Sequence, residues 1–492
     1  MGEDLTKYRV KFNGSIRLED RGVELTPETG ALLLRDYMER LNLPGWLGER
    51  LRDPRNPDLI THPQVELVMT LVLLFGLGWR DQDDADHLRD DPVLRLSTST
   101  RRGTAPLETR TAEPAAARSK NPPHPDGLGS QPTLSRAVGF LSPSDNRQVL
   151  RQSLFYSTTQ RLKTHRKGYR KRYMTLDLDS LPVEVYGEQE GAEYNGHYHK
   201  TIYHPLVCSI GETGDILDTV LRHGKAHTAE GDLAFVLPIL EQAEKTICQV
   251  AALRIDAGFP DEPFLHGIEQ RPWPYAARVK NNAVLDRMAE PYLKRPSGRR
   301  PPRPRTWFYE MNYQAQTWSR ARRVVLVVLE RADKEDLDHF WLITNWTKEQ
   351  MDGPALLAMY RKRGKAEGHQ GELMDVLRPK LSSTTRPKSH YRGHRPKRSY
   401  PSGPPFAQNE VLWLLYALAY NVAHGVRVLA QEAVGGGMSL KTVREHILRV
   451  AGQVVVHGRR VTVVLAKRAV SFWTAVLTKI HTFGLWVEQG PS

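Results

Sequence analysis

Apolar positions recur at helical spacing through the first third of the chain and change to strand alternation near residue 173. "TPETGALLLRDYMERLNL" enters on Thr and Pro and then keeps a helical apolar face. "DDADHLRDDPVLRL" follows a Gly-Trp break, and "SQPTLSRAVGFL" restarts a helix with Ser130 as cap and Pro132 in its first turn. Residues 1–150 therefore read as a helical region, interrupted at 97–128 by an exposed loop rich in Ser, Thr, Arg, Pro and Ala. In "RYMTLDLDS", Met174, Leu176 and Leu178 fall on one strand face and Thr175, Asp177 and Asp179 on the other. "LPVEVYG" continues it after a proline, and "YHPLVCSIGETGDILDTVL" predicts a hairpin around Gly-Glu-Thr-Gly-Asp.

"DLAFVLPILEQAEKT" then predicts a helix, "CQVAALRIDAGF" a strand ending at Asp256, "DEPFLHGIEQ" a short helix and "YAARVK" a strand. Three strands, helix, strand, helix, strand is the order of an α/β layer structure with a mixed sheet, here its first part over 151–284. Residues 285–345 interrupt it with the Pro/Arg-rich "KRPSGRRPPRPR" and the strand-like "RRVVLVVLE" and "HFWLITNW". A helix-like segment at 346–385 follows. Residues 386–492 hold a basic loop and a helical region with the strand-like "QVVVHGRRVTVVL". "VELVMTLVLLFGLGW" is too short to span a bilayer. "VLWLLYALAYNVAHGVRVLA" has the length, but Asn421, His424 and Arg427 mark it as a buried helix of a globular protein, so no membrane partner is expected.

Charge narrows the function. Against 56 Asp and Glu stand 70 Lys and Arg, a formal net charge of +14, which favours a polyanionic partner and nucleic acid first. The densest patch, "RLKTHRKGYRKR", places Arg166, Lys167, Arg170 and Lys171 as candidate phosphate contacts; further clusters lie at 294–305 and 380–398. The two cysteines, Cys208 and Cys248, have no C-x-x-C partner, which argues for a reducing compartment and against a zinc module or disulfide framework.

Candidate chemistry comes from carboxylates. In "YRKRGKAEGHQGELMD", residues 360–375, Tyr360, Arg363 and Glu367 share one helix face. Asp179 lies in the first strand and Asp256 ends the fourth, and these two strands can be neighbours. Three converging carboxylates repel one another unless a cation joins them, and hard divalent ions, Mg²⁺ or Mn²⁺, suit such a donor set. Two such ions activate a water or 3′-hydroxyl and stabilise the leaving oxygen of a phosphodiester. Asp177 competes with Asp179 as the first carboxylate because it shares the strand face, and each acid also reads as an ordinary strand-end or surface residue. His197 and His199 form an H-x-H pair that reads as exposed or phosphate-binding before it reads as a metal site.

"LDLDS", "YGEQEGAEYNGHY", "LRIDAGF", "YQAQTWSRARRVV", "ITNW" and "YRKRGKAE", in this order and spacing, resemble the DDE transposases of bacterial insertion sequences, with insertion-sequence family thirteen-eighty as the nearest likeness. "GLGWRDQDDADHLRDDPVL", "SQPTLSR", "FAQNEVLWLLYALAYN" and "VHGRRVTVVLA" extend the likeness to both ends. The resemblance implies an RNase H-like catalytic core with a helical N-terminal DNA-binding and dimerisation region, a β-rich insertion before the catalytic glutamate, and a helical C-terminal region. It implies that Asp179, Asp256 and Glu367 are the metal-binding catalytic triad. It also implies that Tyr360 and Arg363 belong to a Tyr-x-x-Arg-x-x-x-Glu signature and meet a DNA phosphate or support Glu367. By the same resemblance Trp318 is a candidate to stack on a flipped base, core packing being the alternative.

The expected partners are the transposon ends and target DNA, held by a homodimer in the bacterial cytoplasm and on the nucleoid. Related signatures carry a lysine seven or four residues beyond the glutamate; here those positions are Met374 and Gly371. After Asp179 the chain reads Ser-Leu-Pro, where relatives have a small residue and Thr. A nuclease without strand transfer, or a DNA-binding protein that has lost catalysis, are the competing readings.

Overall fold

The structure is a computed structural model that describes residues 23–108, 127–164, 173–295, 303–334, 336–383 and 404–483. Its centre is an eight-stranded sheet. We number its strands β1 (Tyr173–Ser180), β2 (Leu206–Ile210), β3 (Ile216–Val220), β4 (Gln249–Ile255), β5 (Tyr275–Val279), β6 (Arg305–Tyr313), β7 (Arg322–Glu330) and β8 (Asp338–Thr344). The lateral order is β6-β7-β8-β5-β4-β1-β2-β3. β1 pairs antiparallel with β2 and parallel with β4, and β4 pairs parallel with β5. A meander of three strands, then a helix, then two strands parallel to the first, is the RNase H-like arrangement. The mixed α/β class expected from the strand and helix order is the one observed.

β1 is central and buried over six consecutive residues because both sheet faces are covered. Met174, Leu176 and Leu178 enter a core with Phe235, Val236, Ile239 and Leu240 of helix α2 (Asp232–Thr246) and with Phe264, Leu265 and Ile268 of α3 (Glu262–Glu269). The opposite face carries Asp177 and Asp179. The turn after β2 uses Gly214 at φ 83°, in the left-handed region that glycine occupies without strain.

β7 and β8 continue the sheet antiparallel beyond β5, and β6 forms its far edge. β6, "RTWFYEMNY", carries no clear strand signal in the sequence. As an edge strand it is only half-buried along most of its length, so it lacks the apolar run that marks its neighbour "RRVVLVVLE".

On the other side of the sheet stand the long helices α1 (Ser144–Thr164) and α6 (Pro405–Val434). α6 is long and apolar enough to cross a membrane by length and composition, yet 94% of its most apolar window is buried inside the protein. The helices Gly30–Arg40, Gln64–Leu77 and Gln131–Leu141 share its core, so residues from both ends of the chain pack together. Strand Glu24–Thr26 also pairs with Gly452–His457, which forms a hairpin with Arg460–Leu465. The polar residues noted in α6 have defined partners. Asn421 accepts from the Ile216 amide at 3.0 Å and donates to the Ile216 carbonyl at 2.8 Å, so α6 takes the place of a missing strand beside the β3 edge. The Trp413 indole donates to Thr219 Oγ1 at 2.7 Å. Cys208 lies within the sheet core and Cys248 is half-buried.

Candidate active site

Asp179 is the penultimate residue of β1, and Asp256 directly follows β4. Because β1 and β4 are adjacent and parallel, both carboxylates stand at the same end of the sheet. Glu367 comes from a helix that runs in two pieces, α4 (Gly353–Arg361) and α5 (Arg363–Glu372), broken at Lys362. Asp352 caps α4 by accepting from the Ala355 amide at 2.9 Å.

One cation unites the three acids. Arg363 Nη2 donates to Asp179 Oδ2 at 2.7 Å, and Nη1 donates to Glu367 Oε1 at 2.6 Å. The same Nη1 lies 3.9 Å from Asp256 Oδ1. The Arg363 side chain is 9% exposed, whereas those of Asp256 and Glu367 are 50% and 58% exposed. The guanidinium is thus sunk between acids whose outer oxygens face solvent. Burial pushes the Asp179 carboxyl up to about 6; Arg363 pulls it down, and Asp256 and Glu367 push it up. Arg363 Nε is buried and has no hydrogen-bond partner among the described residues. Tyr360, on the turn before, is half-buried, and its phenol is pushed up to about 12, chiefly by burial.

Asp177 is excluded from this group by its own partner. It is fully buried and takes two hydrogen bonds from Arg254, Nε to Oδ1 and Nη2 to Oδ2, both 2.6 Å. Asp179 is therefore the β1 carboxylate that meets Asp256 and Glu367.

Among the described residues no three His, Cys, Asp or Glu side chains form a ready-made ligand set, the triad included, because Arg363 lies between its members. The donor chemistry nevertheless fits a hard divalent ion. All the converging side chains of the triad are carboxylates, they already point at one positive centre, and burial plus mutual repulsion favours replacing a monovalent by a divalent charge.

The far end of α5 is fixed to α6. Glu372 accepts from Arg427 and, at 2.8 Å, from the Leu440 amide, and Arg427 Nη2 lies 3.1 Å from His369 Nδ1. The His369 side chain, the Leu440 amide and Arg427 together hold Glu372 down to about 2 despite its burial. The β2–β3 turn lies against this helix, since a Cβ at Gly214 would run into the His369 ring.

Trp318 is 6% exposed, edge-on to Tyr313 at 5.4 Å and covered by Arg322, so it packs within the core of the insertion. His197 and His199 are exposed in the turn between the short strands Glu193–Asn195 and Lys200–Tyr203. Arg166, Lys167, Arg170 and Lys171 lie outside the described residues, as do Arg299 and Arg300 of the 294–305 cluster and every cation of the 380–398 cluster beyond Lys380. Tyr198 had no assigned role in the sequence, although it lies inside the "YNGHY" motif. It is half-buried near the triad, where burial and the charges of Asp179 and Asp256 raise its phenol above the ordinary range.

Met374 is half-buried and packs against the core formed by the helices, in a short π-helical turn (Leu373–Leu377). Gly371 has open space where a side chain would project. Met374→Lys should lower stability by about 1–2 kcal/mol through lost packing, with no tighter binding of DNA ends. Thermal melting together with end affinity tests this; tighter binding without a stability loss would show that this face reaches a phosphate.

Comparison with known proteins supplies the family. Residues 8–385 match the family described as Transposase DDE domain group 1. No curated protein sequence matches the chain. Among solved structures, the cryo-EM structure of the piggyBac transposase synaptic complex with hairpin DNA aligns over 94% of this chain and 82% of that one, at 11% identity and a TM-score of 0.39. The family match spans more than three quarters of the sequence and takes in all three acids of the site, Asp179, Asp256 and Glu367: the chain belongs to the DDE-domain transposases of group 1.

Proposed function

We propose that this protein is the transposase of an insertion sequence, and that it binds terminal inverted repeats, cuts at the element ends and joins the freed 3′-hydroxyl to target DNA. The observation that carries the reading is the convergence of Asp179, Asp256 and Glu367 on one cationic group at the end of two parallel strands. In this reading the three carboxylates hold divalent metal, Mg²⁺ or Mn²⁺ and two ions in all. When bound, the metal activates a water or 3′-hydroxyl for attack on a phosphodiester and stabilises the leaving oxygen.

The chain's own residues do the rest. Asp179 is the most enclosed of the acids and fixes the site to the sheet, while Asp256 and Glu367 leave oxygens open to the DNA side. Arg363 neutralises the acids until metal and DNA arrive, then turns its fork to a phosphate oxygen beside the cut. Tyr360, kept as a neutral phenol by burial, donates to the same backbone. Two ends must be held together, so the working form is a homodimer.

The reading is tested with a duplex carrying one element end, Mg²⁺ and a target plasmid. Nicking at the end followed by joined product supports it. Nicking alone indicates a nuclease without strand transfer, and end binding without nicking indicates a DNA-binding protein that has lost catalysis.

The net charge of +14 predicts the form of the binding curve. Log affinity for the end should fall linearly with log salt. Replacing Arg166, Lys167, Arg170 and Lys171 by Ala should flatten the slope by about 2–4 units if each cation neutralises a phosphate. An unchanged slope would assign this patch to solvent.

A further inference from the structure

Beneath the triad lies a second ionic group that the proposed chemistry does not use. Asp177 and Arg254 sit directly opposite each other in the β1–β4 register. Each is two residues before a triad aspartate and therefore on the same strand face as that aspartate. Their side chains are 1% and 2% exposed and joined by the two parallel 2.6 Å bonds. The third arm of the guanidinium leaves the sheet: Arg254 Nη1 donates to the Met359 carbonyl at 3.0 Å, in the last turn of α4 and one residue before Tyr360. Space for the pair is set by the β2–β3 turn, where a Cβ at Gly211 would run into both Arg254 Nη2 and Asp177 Oδ2.

We infer that Arg254, locked in its rotamer by Asp177 and bonded to Met359, is the positioning residue that holds the Glu367 helix in register with the two strands bearing Asp179 and Asp256. The inference rests on the metal site proposed above. The carbonyl it uses lies just before the break at Lys362, where α4 gives way to α5, so a tether at Met359 acts where the helix is least continuous. A guanidinium presents donors in a planar fork and serves three acceptors at once; an ammonium at the end of a lysine cannot reproduce that geometry. Burying a bidentate pair under an acidic site is a poor route to stability alone, because similar apolar side chains often stabilise equally well. Its specific product is geometry.

Two variants of the full chain test the inference. Arg254→Lys keeps the charge and loses the fork. Asp177→Leu with Arg254→Met removes both charges together, leaves no ion unpaired, and is expected to melt near or above the parent. In both, Mn²⁺ affinity measured by calorimetry should fall about 10–100-fold, the usual cost of losing an outer support of a metal ligand. Backbone amides of residues 363–367 should exchange faster while those of β1 keep their protection. A folded double variant with parental Mn²⁺ affinity overturns the inference, whether or not exchange changes; so does unchanged exchange at 363–367. Failure of the functional reading looks different: the parent chain itself neither binds Mn²⁺ nor nicks the end duplex, and exchange at 363–367 then decides alone whether Arg254 holds the helix.

Discussion

Asp179→Ala, Asp256→Ala and Glu367→Ala each reduce Mg²⁺-dependent nicking of an end duplex below detection, a loss expected to exceed about 10³-fold, while end binding without metal stays within a few fold of the parent. The geometry separates these acids from their neighbours. All three face Arg363, and Asp256 and Glu367 retain open oxygens, whereas the adjacent Asp177 is enclosed by Arg254. Removing any one of the three deletes a hard oxygen donor but little packing, since two of them are half or more exposed. Asp179 is the buried one of the three, and its replacement leaves Arg363 hydrogen-bonded to Glu367 and within ion-pair distance of Asp256, so the fold should survive. Nicking that persists at parental rate in Glu367→Ala would remove the helix from the site.

The largest loss of stability is expected at a buried pair remote from the acids. Arg161 of α1 forks onto Asp215, which immediately precedes β3, with Nε to Oδ1 at 2.8 Å and Nη2 to Oδ2 as the second bond. The side chains are 5% and 2% exposed. Asp215→Ala removes both hydrogen bonds and the nearest counter-charge from a guanidinium held in the core, and should cost about 3 kcal/mol in an unfolding titration. Asp215→Leu with Arg161→Met should recover most of that loss, since no charge is left alone. The pair also sets an acid limit. Although burial alone would raise it, Asp215 is held down to about 2 by Arg161, with smaller help from His424 and Thr213. A depressed folded-state pKa gives stability that is complete above the unfolded carboxylate's pKa of about 3.9 and is lost as pH falls from there toward about 2. Melting temperature measured from pH 5 to 2 should drop more steeply in the parent than in the Leu/Met double variant. Equal slopes would show that Asp215 does not carry this acid sensitivity.

How much of this was legible follows from where each residue sits. β1 and β4 announced themselves by alternation and by acids at their ends, and the basic, one-faced signature of 360–375 placed Glu367 on a helix. β6 was not legible because an edge strand is half-wet and mixes Arg, Thr and Glu with its aromatics. Nor could the sequence say that Arg363 reaches Asp179 as well as Glu367. Helical spacing fixes the second contact, but the first depends on how α5 is laid across the sheet. By the same limit, strand alternation alone does not choose between Asp177 and Asp179; the resemblance favours Asp179, and Arg254 on the neighbouring strand takes up Asp177. For Trp318 the sequence leaves base stacking and core packing both open, and packing against Tyr313 under Arg322 encloses it. The polar residues of α6 mark it as a core helix, and 94% of its most apolar window is buried. Their partners, the β3 edge and the base of the Glu367 helix, are long-range contacts that no local pattern encodes.

The central claim is that these three carboxylates, now bridged by Arg363, form a divalent metal site. Calorimetric titration of the DNA-free protein with Mn²⁺, set against Glu367→Gln, addresses it most directly, because glutamine keeps the size of the side chain and removes only the charge. The account predicts saturable binding by the parent and at least about tenfold weaker binding by the variant. Equal affinity in the two proteins, or no saturable binding by the parent, would contradict it.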